Sequence, residues 1–89
     1  MSISDIKKEF PIFSNKIHNN DLVYLDSANS SQKPQSVIDR VNEFYTNEFS
    51  NTGRSVHYLA VAATNLYEKT RSSVQKYINA KDKNEIVFT

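Results

Sequence analysis

The amino-acid sequence contains few of the residues from which small active sites are built. The chain has 89 residues, no cysteine and a single glycine, Gly53. Without cysteine it cannot form a disulfide, a thiolate zinc site or a cysteine nucleophile of its own. With one glycine it cannot form a glycine-rich phosphate loop of the dinucleotide-binding or Walker type. These absences exclude several kinds of active site.

Charge and hydropathy exclude two further classes of protein. Eleven Lys and Arg residues against ten Asp and Glu give a net charge of +1, and the two signs are interspersed along the chain. That balance is unlike the basic surface of an electrostatic nucleic-acid binder. No apolar run approaches the roughly 20 residues of a membrane span, and residues 1–5 do not begin a signal peptide. We therefore expect a helix-rich cytoplasmic protein with neither a nucleic-acid nor a membrane partner.

Size and composition predict a small core and no complete catalytic site. A domain of about this length buries only about 60–65% of the surface that its unfolded chain exposes. The hydrophobic fraction of 38% lies below the usual range of about 45–50%. Two histidines and scattered carboxylates offer no metal site and no nucleophile–base pair. The residues are better suited to lining a site than to supplying its catalytic groups.

The first third of the chain carries three local signals. Ser4 is a suitable N-cap for a short helix over residues 4–10. Pro11 should end that helix, because the residue before a proline avoids helical geometry. Asn19-Asn20-Asp21 is typical of a turn and precedes the apolar run Leu22–Leu25. We predict a short strand or hairpin at 22–25.

Two amphipathic helices follow the polar loop at 26–33. The first is predicted over about 34–49, with Pro34 at its first position, where the missing N–H costs nothing. Its apolar stripe consists of Val37, Ile38, Val41, Phe44, Tyr45 and Phe49. The second is predicted over about 56–79, with a stripe from Leu59 to Ile78. Small alanines near its start allow a neighbouring backbone to approach closely.

The last five residues, Glu85–Thr89, are β-branched and aromatic and predict a strand over 85–89. The fold class is therefore α/β, although most of the chain is helical. Because no strand of comparable length precedes this one, we expect residues 1–89 to be a truncated piece of a larger α/β domain, with no independent second domain. The alternative is an independent helical hairpin that acts as a binding or scaffold module.

An ordered series of motifs runs along nearly the whole chain. They are Leu22-Val23-Tyr24-Leu25-Asp26-Ser27-Ala28, Gln32-Lys33-Pro34, Val37-Ile38-Asp39, Phe44-Tyr45, Arg54-Ser55-Val56-His57-Tyr58-Leu59, Ala63-Thr64, Tyr67-Glu68-x-x-Arg71, Tyr77-Ile78-Asn79-Ala80 and Glu85-Ile86-Val87-Phe88-Thr89. In this order they resemble the N-terminal part of the Suf-type cysteine desulfurases, which belong to the class V aminotransferase family of pyridoxal-phosphate enzymes.

The resemblance implies the fold-type I architecture, with this chain as an N-terminal segment that stops before the cofactor phosphate loop. It implies removal of sulfur from L-cysteine, giving L-alanine and an enzyme persulfide for iron–sulfur cluster assembly, by a homodimer that passes the sulfur to an acceptor protein. The family's Schiff-base lysine and persulfide cysteine lie beyond the residues that match. We therefore expect these residues to be inactive alone and to bind no pyridoxal phosphate. A related class V enzyme, such as a selenocysteine lyase, is an alternative.

The same resemblance places Ala28 and Asn29 in a loop on the substrate side of the active site, close to the amino-acid carboxylate. Small residues with free backbone N–H groups suit a carboxylate. Asn29 stands where the family more often has Ala or Gly, so its amide would narrow the pocket. The alternative is a polar loop without a ligand, in which Asp26 makes a local turn bond.

Arg54 and His57 match a family segment at the dimer interface near the active-site mouth. The guanidinium of Arg54 would anchor a carboxylate across that interface; the alternative is a solvated ion pair. For His57, a hydrogen-bonded structural role at a helix start is favoured over a catalytic one, with the ring neutral. Gly53 stands where the family has His, and Ser55 stands where it has Gly. These departures weaken any proton-transfer role at this position.

Overall fold

The computed structural model describes residues 1–89 and begins with a capped helix, α1 (Ile3–Lys8). Ser2 is the N-cap: its hydroxyl accepts the Asp5 N–H at 3.1 Å, and the Asp5 carboxylate accepts the Ser2 N–H at 3.0 Å. This is a capping box, and its bonds, the backbone bond first, hold the pKa of the Asp5 carboxyl below its ordinary value. The prediction of Ser4 as N-cap was wrong, because only a cap at Ser2 lets Asp5 close this reciprocal pair.

Helix α1 ends two residues earlier than predicted. Phe10, which precedes Pro11, has the extended backbone that proline imposes on its neighbour. Pro11 then begins a 3₁₀ turn, Pro11–Ser14. The proline occupies the first position of that turn, where it needs no backbone donor.

A hairpin with strands of two residues each lies upstream of residues 22–25, where a strand or hairpin was predicted. Strands β1 (Lys16–Ile17) and β2 (Asn20–Asp21) pair antiparallel, Lys16 opposite Asp21, with an ion pair between these two side chains. The turn residues His18 and Asn19 both have positive φ, +51° and +65°, as a type I′ hairpin turn requires. The predicted strand at 22–25 is absent, since no segment of the chain offers that run a hydrogen-bonding partner.

Helix α2 (Gln35–Glu43) begins directly after Pro34, which is its N-cap rather than its first residue. The Gln35 N–H donates to the carbonyl of Glu9 at 2.7 Å and so fastens the start of α2 to the end of α1. From Phe44 to Glu48 the helix continues as a π-helical turn, so the segment predicted as one helix over 34–49 changes its hydrogen-bonding pattern near its end.

Helix α3 (Tyr58–Tyr77) confirms the second long helix. It ends two residues before the predicted position because Asn79 adopts the left-handed conformation, φ +58°, that commonly terminates helices. The Ala80 N–H then donates back to the Gln75 carbonyl at 3.0 Å, which satisfies one of the last carbonyls of the helix.

The residues after α3 do not form the predicted strand over 85–89. A 3₁₀ turn, Lys83–Glu85, is followed by an extended segment that pairs with no other strand. A strand needs a partner for its backbone groups, and these 89 residues supply none. The side chain of Arg71 instead holds this segment against α3: it donates to the Ile86 carbonyl and contacts the rings of Tyr67 and Phe88, which also contact each other edge to face.

The buried core is small, and the chain divides into two compact units, Met1–Phe44 and Tyr45–Thr89. Three apolar side chains are buried, Ala60, Ala63 and Ile86, and none of them is aromatic. Many large apolar side chains face solvent instead; Leu25 and Val56 are each 92% exposed. No helix combines the length and apolar character needed to cross a membrane.

Candidate functional site

The loop that contains Ala28 and Asn29 is a hydrogen-bonded turn in the unit Met1–Phe44. The carbonyl of Asp26 accepts the N–H groups of Asn29 and Ser30, at 3.0 and 3.2 Å. The side-chain amide of Asn29 donates to the Asp26 carboxylate at 3.0 Å. Asn29 therefore braces the turn, and the local bonds of Asp26 agree with the structural interpretation of this loop.

The backbone N–H groups of Ser27 and Ala28 are left free by this turn. Neither donates to another group of the chain, and both residues are exposed. Two adjacent donors with small side chains offer an anion direct access to the backbone. A carboxylate is a strong acceptor for such groups, since charge-assisted hydrogen bonds are about twice as strong as neutral ones.

Tyr24 fixes the two ends of the turn. Its hydroxyl lies 2.5 Å from the carbonyl oxygen of Ser30 and 3.4 Å from that of Asp26. The single phenolic proton goes to the nearer oxygen. The only sequence signal for this role is a tyrosine two residues before a polar loop that begins with Asp26. The carbonyl oxygens near its hydroxyl lie up to six residues along the chain, so the signal is weak.

An open cleft of about 320 Å³ lies beside the end of this loop. Its apolar side is formed by a proline and two isoleucines, and its polar side by two amides and a lysine. The lining residues are Pro11, Ile12, Asn15, Gln32, Lys33 and Ile38. The ammonium group of Lys33 donates to the Ser31 carbonyl at 2.8 Å, so one of its three N–H donors is used within the loop.

Arg54 lies in a bend that precedes α3, in the unit Tyr45–Thr89. Its guanidinium is exposed and makes no hydrogen bond or ion pair within the chain. Gly53, directly before it, has φ +101°, a conformation that residues with a side chain rarely adopt. The predicted solvated ion pair of Arg54 is therefore absent, and its donors are available to an external acceptor.

His57 is the N-cap of α3. Its Nδ1 atom accepts the backbone N–H of Ala60 at 3.3 Å. An accepting nitrogen carries no proton, so Nδ1 offers its lone pair to this amide. The hydrogen-bonded structural role favoured from the sequence agrees with this geometry.

The predicted site residues therefore fall into two pairs, one in each unit. Ala28 and Asn29 share the turn of one unit, and Arg54 and His57 flank the bend before α3 in the other. Each pair combines one group with free donors and one group that makes a local structural bond.

The residues present do not fit pyridoxal phosphate. A lysine that forms a Schiff base is activated by a desolvated pocket or a neighbouring cation. All eight lysine side chains of this chain are exposed. The single glycine, Gly53, lies in a bend with no neighbouring atom within 4 Å of the position of a Cβ, so it forms no close phosphate cradle. No group of three or more potential metal ligands occurs either.

Comparison with known proteins gives a consistent family assignment. The profile of the family "Aminotransferase class-V" matches residues 23–89. A protein named "Cysteine desulfurase" from Pectobacterium atrosepticum is 43% identical over 97% of this chain and 21% of its own length. Proteins named "Probable cysteine desulfurase" from Streptomyces coelicolor and Synechocystis are 46% and 43% identical over 94% of this chain and 20% of their own lengths. The chain thus spans about a fifth of the length of these relatives.

Proposed function

Because this chain belongs to the class-V aminotransferase family, we propose that it forms the N-terminal, substrate-side segment of a cysteine desulfurase. The observation that carries the proposal is sequence identity: over nearly all of its 89 residues, this chain is 43–46% identical to proteins named cysteine desulfurase or probable cysteine desulfurase. In this proposal the segment is part of a fold-type I domain and precedes the part that holds the cofactor phosphate.

The reaction of such an enzyme converts L-cysteine and an enzyme thiol into L-alanine and an enzyme persulfide. The C–S bond of the substrate breaks and an S–S bond to the enzyme thiol forms; of the two S–H hydrogens, one ends in the new C–H bond of alanine and one stays on the persulfide. Pyridoxal phosphate supplies an electron sink for this bond cleavage when it is bound. Since the present residues do not fit that group, their contribution is to bind and orient the amino acid.

We assign the recognition of the substrate carboxylate to the free backbone donors of the 26–30 turn. The N–H groups of Ser27 and Ala28 are unpaired and exposed. Asn29 supports them indirectly, since its amide bonds to Asp26 and keeps the turn closed. This division gives Ala28 a contact role and Asn29 a positioning role.

Arg54 is assigned a separate role, as a positive charge offered by the unit Tyr45–Thr89. Its guanidinium has no partner within the chain, so its five N–H donors are free for a bidentate bond to a carboxylate. In a homodimer this bond would reach a substrate bound across the subunit interface. His57 is given a structural role in this proposal, because its Nδ1 atom is used as the cap of α3.

The proposal is tested with a chimaera in which residues 1–89 replace the matching segment of the Pectobacterium atrosepticum relative. We expect the purified chimaera to bind pyridoxal phosphate and to form alanine from L-cysteine at a rate within about tenfold of the parent. The matched control carries the substitution Lys69→Ala, a change of an exposed lysine with no partner. A folded chimaera with bound cofactor that forms no alanine would contradict the proposal. Faster release of alanine from selenocysteine than from cysteine would favour a selenocysteine lyase.

A further inference from the structure

One side chain of α3 reaches back to the bend before that helix. The hydroxyl oxygen of Thr64 accepts the backbone N–H of Gly53 at 2.9 Å, across eleven residues of the chain. The same hydroxyl donates its proton to the carbonyl of Ala60 at 2.8 Å. Thr64 is therefore bonded to its own helix and to the bend at once.

The bond within the helix fixes the direction of the bond to the bend. A hydroxyl has one proton and two lone pairs. Because the proton of Thr64 points to Ala60, a lone pair faces Gly53. A threonine that bonds back to the carbonyl four residues before it gains no helix stability from doing so. The Thr64 hydroxyl therefore stabilises the bend rather than the helix.

The other polar bonds of the bend are local. Asn51 donates to the Ser55 hydroxyl at 2.7 Å and accepts from the Ser50 hydroxyl at 3.0 Å. These bonds close the bend on itself but do not tie it to the body of α3. Gly53 has no side chain, so its backbone is less restricted than that of its neighbours, and its φ is +101°. The Thr64 bond restrains the amide of Gly53, the residue directly before Arg54.

We propose that Thr64 is a positioning residue for Arg54. By holding the Gly53 amide, its hydroxyl sets the direction in which the chain presents the free guanidinium to a carboxylate. The inference rests on the proposed function, since it requires that Arg54 meets the carboxylate of an amino-acid substrate. Thr64 itself touches neither substrate nor cofactor in this account.

The test compares three variants of the chimaera in steady-state kinetics with L-cysteine. Thr64→Val keeps the branched shape and removes the hydroxyl, and Thr64→Ser keeps the hydroxyl. Thr70→Val is the matched control, because Thr70 makes the same bond to the carbonyl four residues earlier, Leu66, at 2.9 Å and holds no loop. We expect Thr64→Val to raise the KM for cysteine about five- to tenfold with kcat changed less than twofold, as the loss of one hydrogen bond predicts. Thr64→Ser and Thr70→Val should stay within about twofold of the parent.

A double-substitution cycle separates positioning from a general loss of structure. If Thr64 acts through Arg54, Thr64→Val should change the KM by less than about 1.5-fold once Arg54→Ala is present. An undiminished effect of Thr64→Val in the Arg54→Ala background would overturn the inference. An effect of Thr70→Val as large as that of Thr64→Val would also overturn it.

A second measurement keeps the inference independent of the enzyme assay. In the folded, purified chimaera, the exchange rate of the Gly53 amide hydrogen is measured by hydrogen exchange, which requires no catalysis. Thr64→Val should raise this rate about tenfold and Thr64→Ser should leave it unchanged. An inactive parent chimaera with this exchange pattern would contradict the proposed function, while the role of Thr64 in the bend would stand. A Gly53 exchange rate that Thr64→Val leaves unchanged would overturn the positioning role.

Discussion

The guanidinium of Arg71 lies 4.9 Å from the centre of the Phe88 ring, and it fixes the last residues of the chain without a sheet. The same group contacts the ring of Tyr67 at 5.3 Å and pairs with Glu68 at 3.1 Å. It also donates to the carbonyl of Ile86, the one large buried side chain of the core. One cation thus connects a helix face to an extended segment that has no partner strand.

Removing this cation should release the segment. We expect Arg71→Ala to raise the exchange rate of the Ile86 amide hydrogen at least about tenfold, because a hydrogen bond to a charged group contributes about 1.5–3 kcal/mol. Arg71→Lys should have an intermediate effect, since an ammonium group lacks the planar fork. Lys69→Ala, on the same helix and without a partner, is the control. Equal exchange rates in all variants would show that the segment is held by other contacts.

The cap of α1 gives a pH-dependent prediction. The pKa of Asp5 is lowered by its hydrogen bonds with Ser2, so the folded helix favours the ionised carboxylate. The stabilising contribution is therefore complete above the ordinary pKa of the carboxyl and is lost as the pH falls through the lowered value.

A carboxyl titration followed by NMR checks this prediction. Ser2→Ala should move the pKa of Asp5 part of the way back to its ordinary value, because the backbone donor remains. Ser4→Ala, a serine of the same helix that makes no bond to Asp5, should leave it in place. If instead Ser4→Ala moved the pKa of Asp5 and Ser2→Ala left it in place, Ser4 would be the N-cap.

The structural role of His57 predicts that asparagine can replace it. Asn is among the strongest N-cap residues, whereas Ala loses the cap at a cost of about 1 kcal/mol. We expect His57→Ala to raise the exchange rate of the Ala60 amide about fivefold and His57→Asn to leave it nearly unchanged. In the chimaera, His57→Asn should keep activity within about threefold, whereas the loss of a general acid or base costs about a hundredfold or more. A hundredfold loss of kcat in His57→Asn would assign the ring a chemical role.

The exposed apolar surface predicts how the 89-residue chain behaves by itself. Three buried apolar side chains are too few for a cooperative core, and residues such as Leu25 and Val56 offer apolar surface to a dye. We expect a broad thermal transition by circular dichroism and a rise in the fluorescence of a hydrophobic dye. A sharp transition without dye binding would favour the independent helical module.

The helices could be predicted from the sequence because their signals are local. The apolar stripe of α3 has a spacing that only a helix places on one face. The ends were less accurate, since Asn79 stops α3 through a backbone conformation that composition does not reveal. The same limit explains why Ser2 was not predicted as the N-cap, since Ser4, two residues later, is also a plausible cap.

The strands could not be predicted, because a strand is defined by its partner. Residues 22–25 and 85–89 have the composition of strands but meet no pairing segment within the chain. The composition of residues 16–21 gives little sign of the hairpin, because the hairpin depends on two adjacent residues with positive φ. The bond between Thr64 and Gly53 was missed for a related reason: it joins residues eleven positions apart, and no periodic pattern marks it.

The contribution of Arg54 to cysteine binding is the central claim, and the KM of the chimaera for L-cysteine tests it most directly. Loss of a charge-assisted bond to the substrate carboxylate costs about 1.5–3 kcal/mol, so Arg54→Ala should raise the KM by about 10- to 100-fold. Lys69→Ala should leave it unchanged. A KM that stays within twofold in Arg54→Ala, with the cofactor bound and the parent active, would contradict the account.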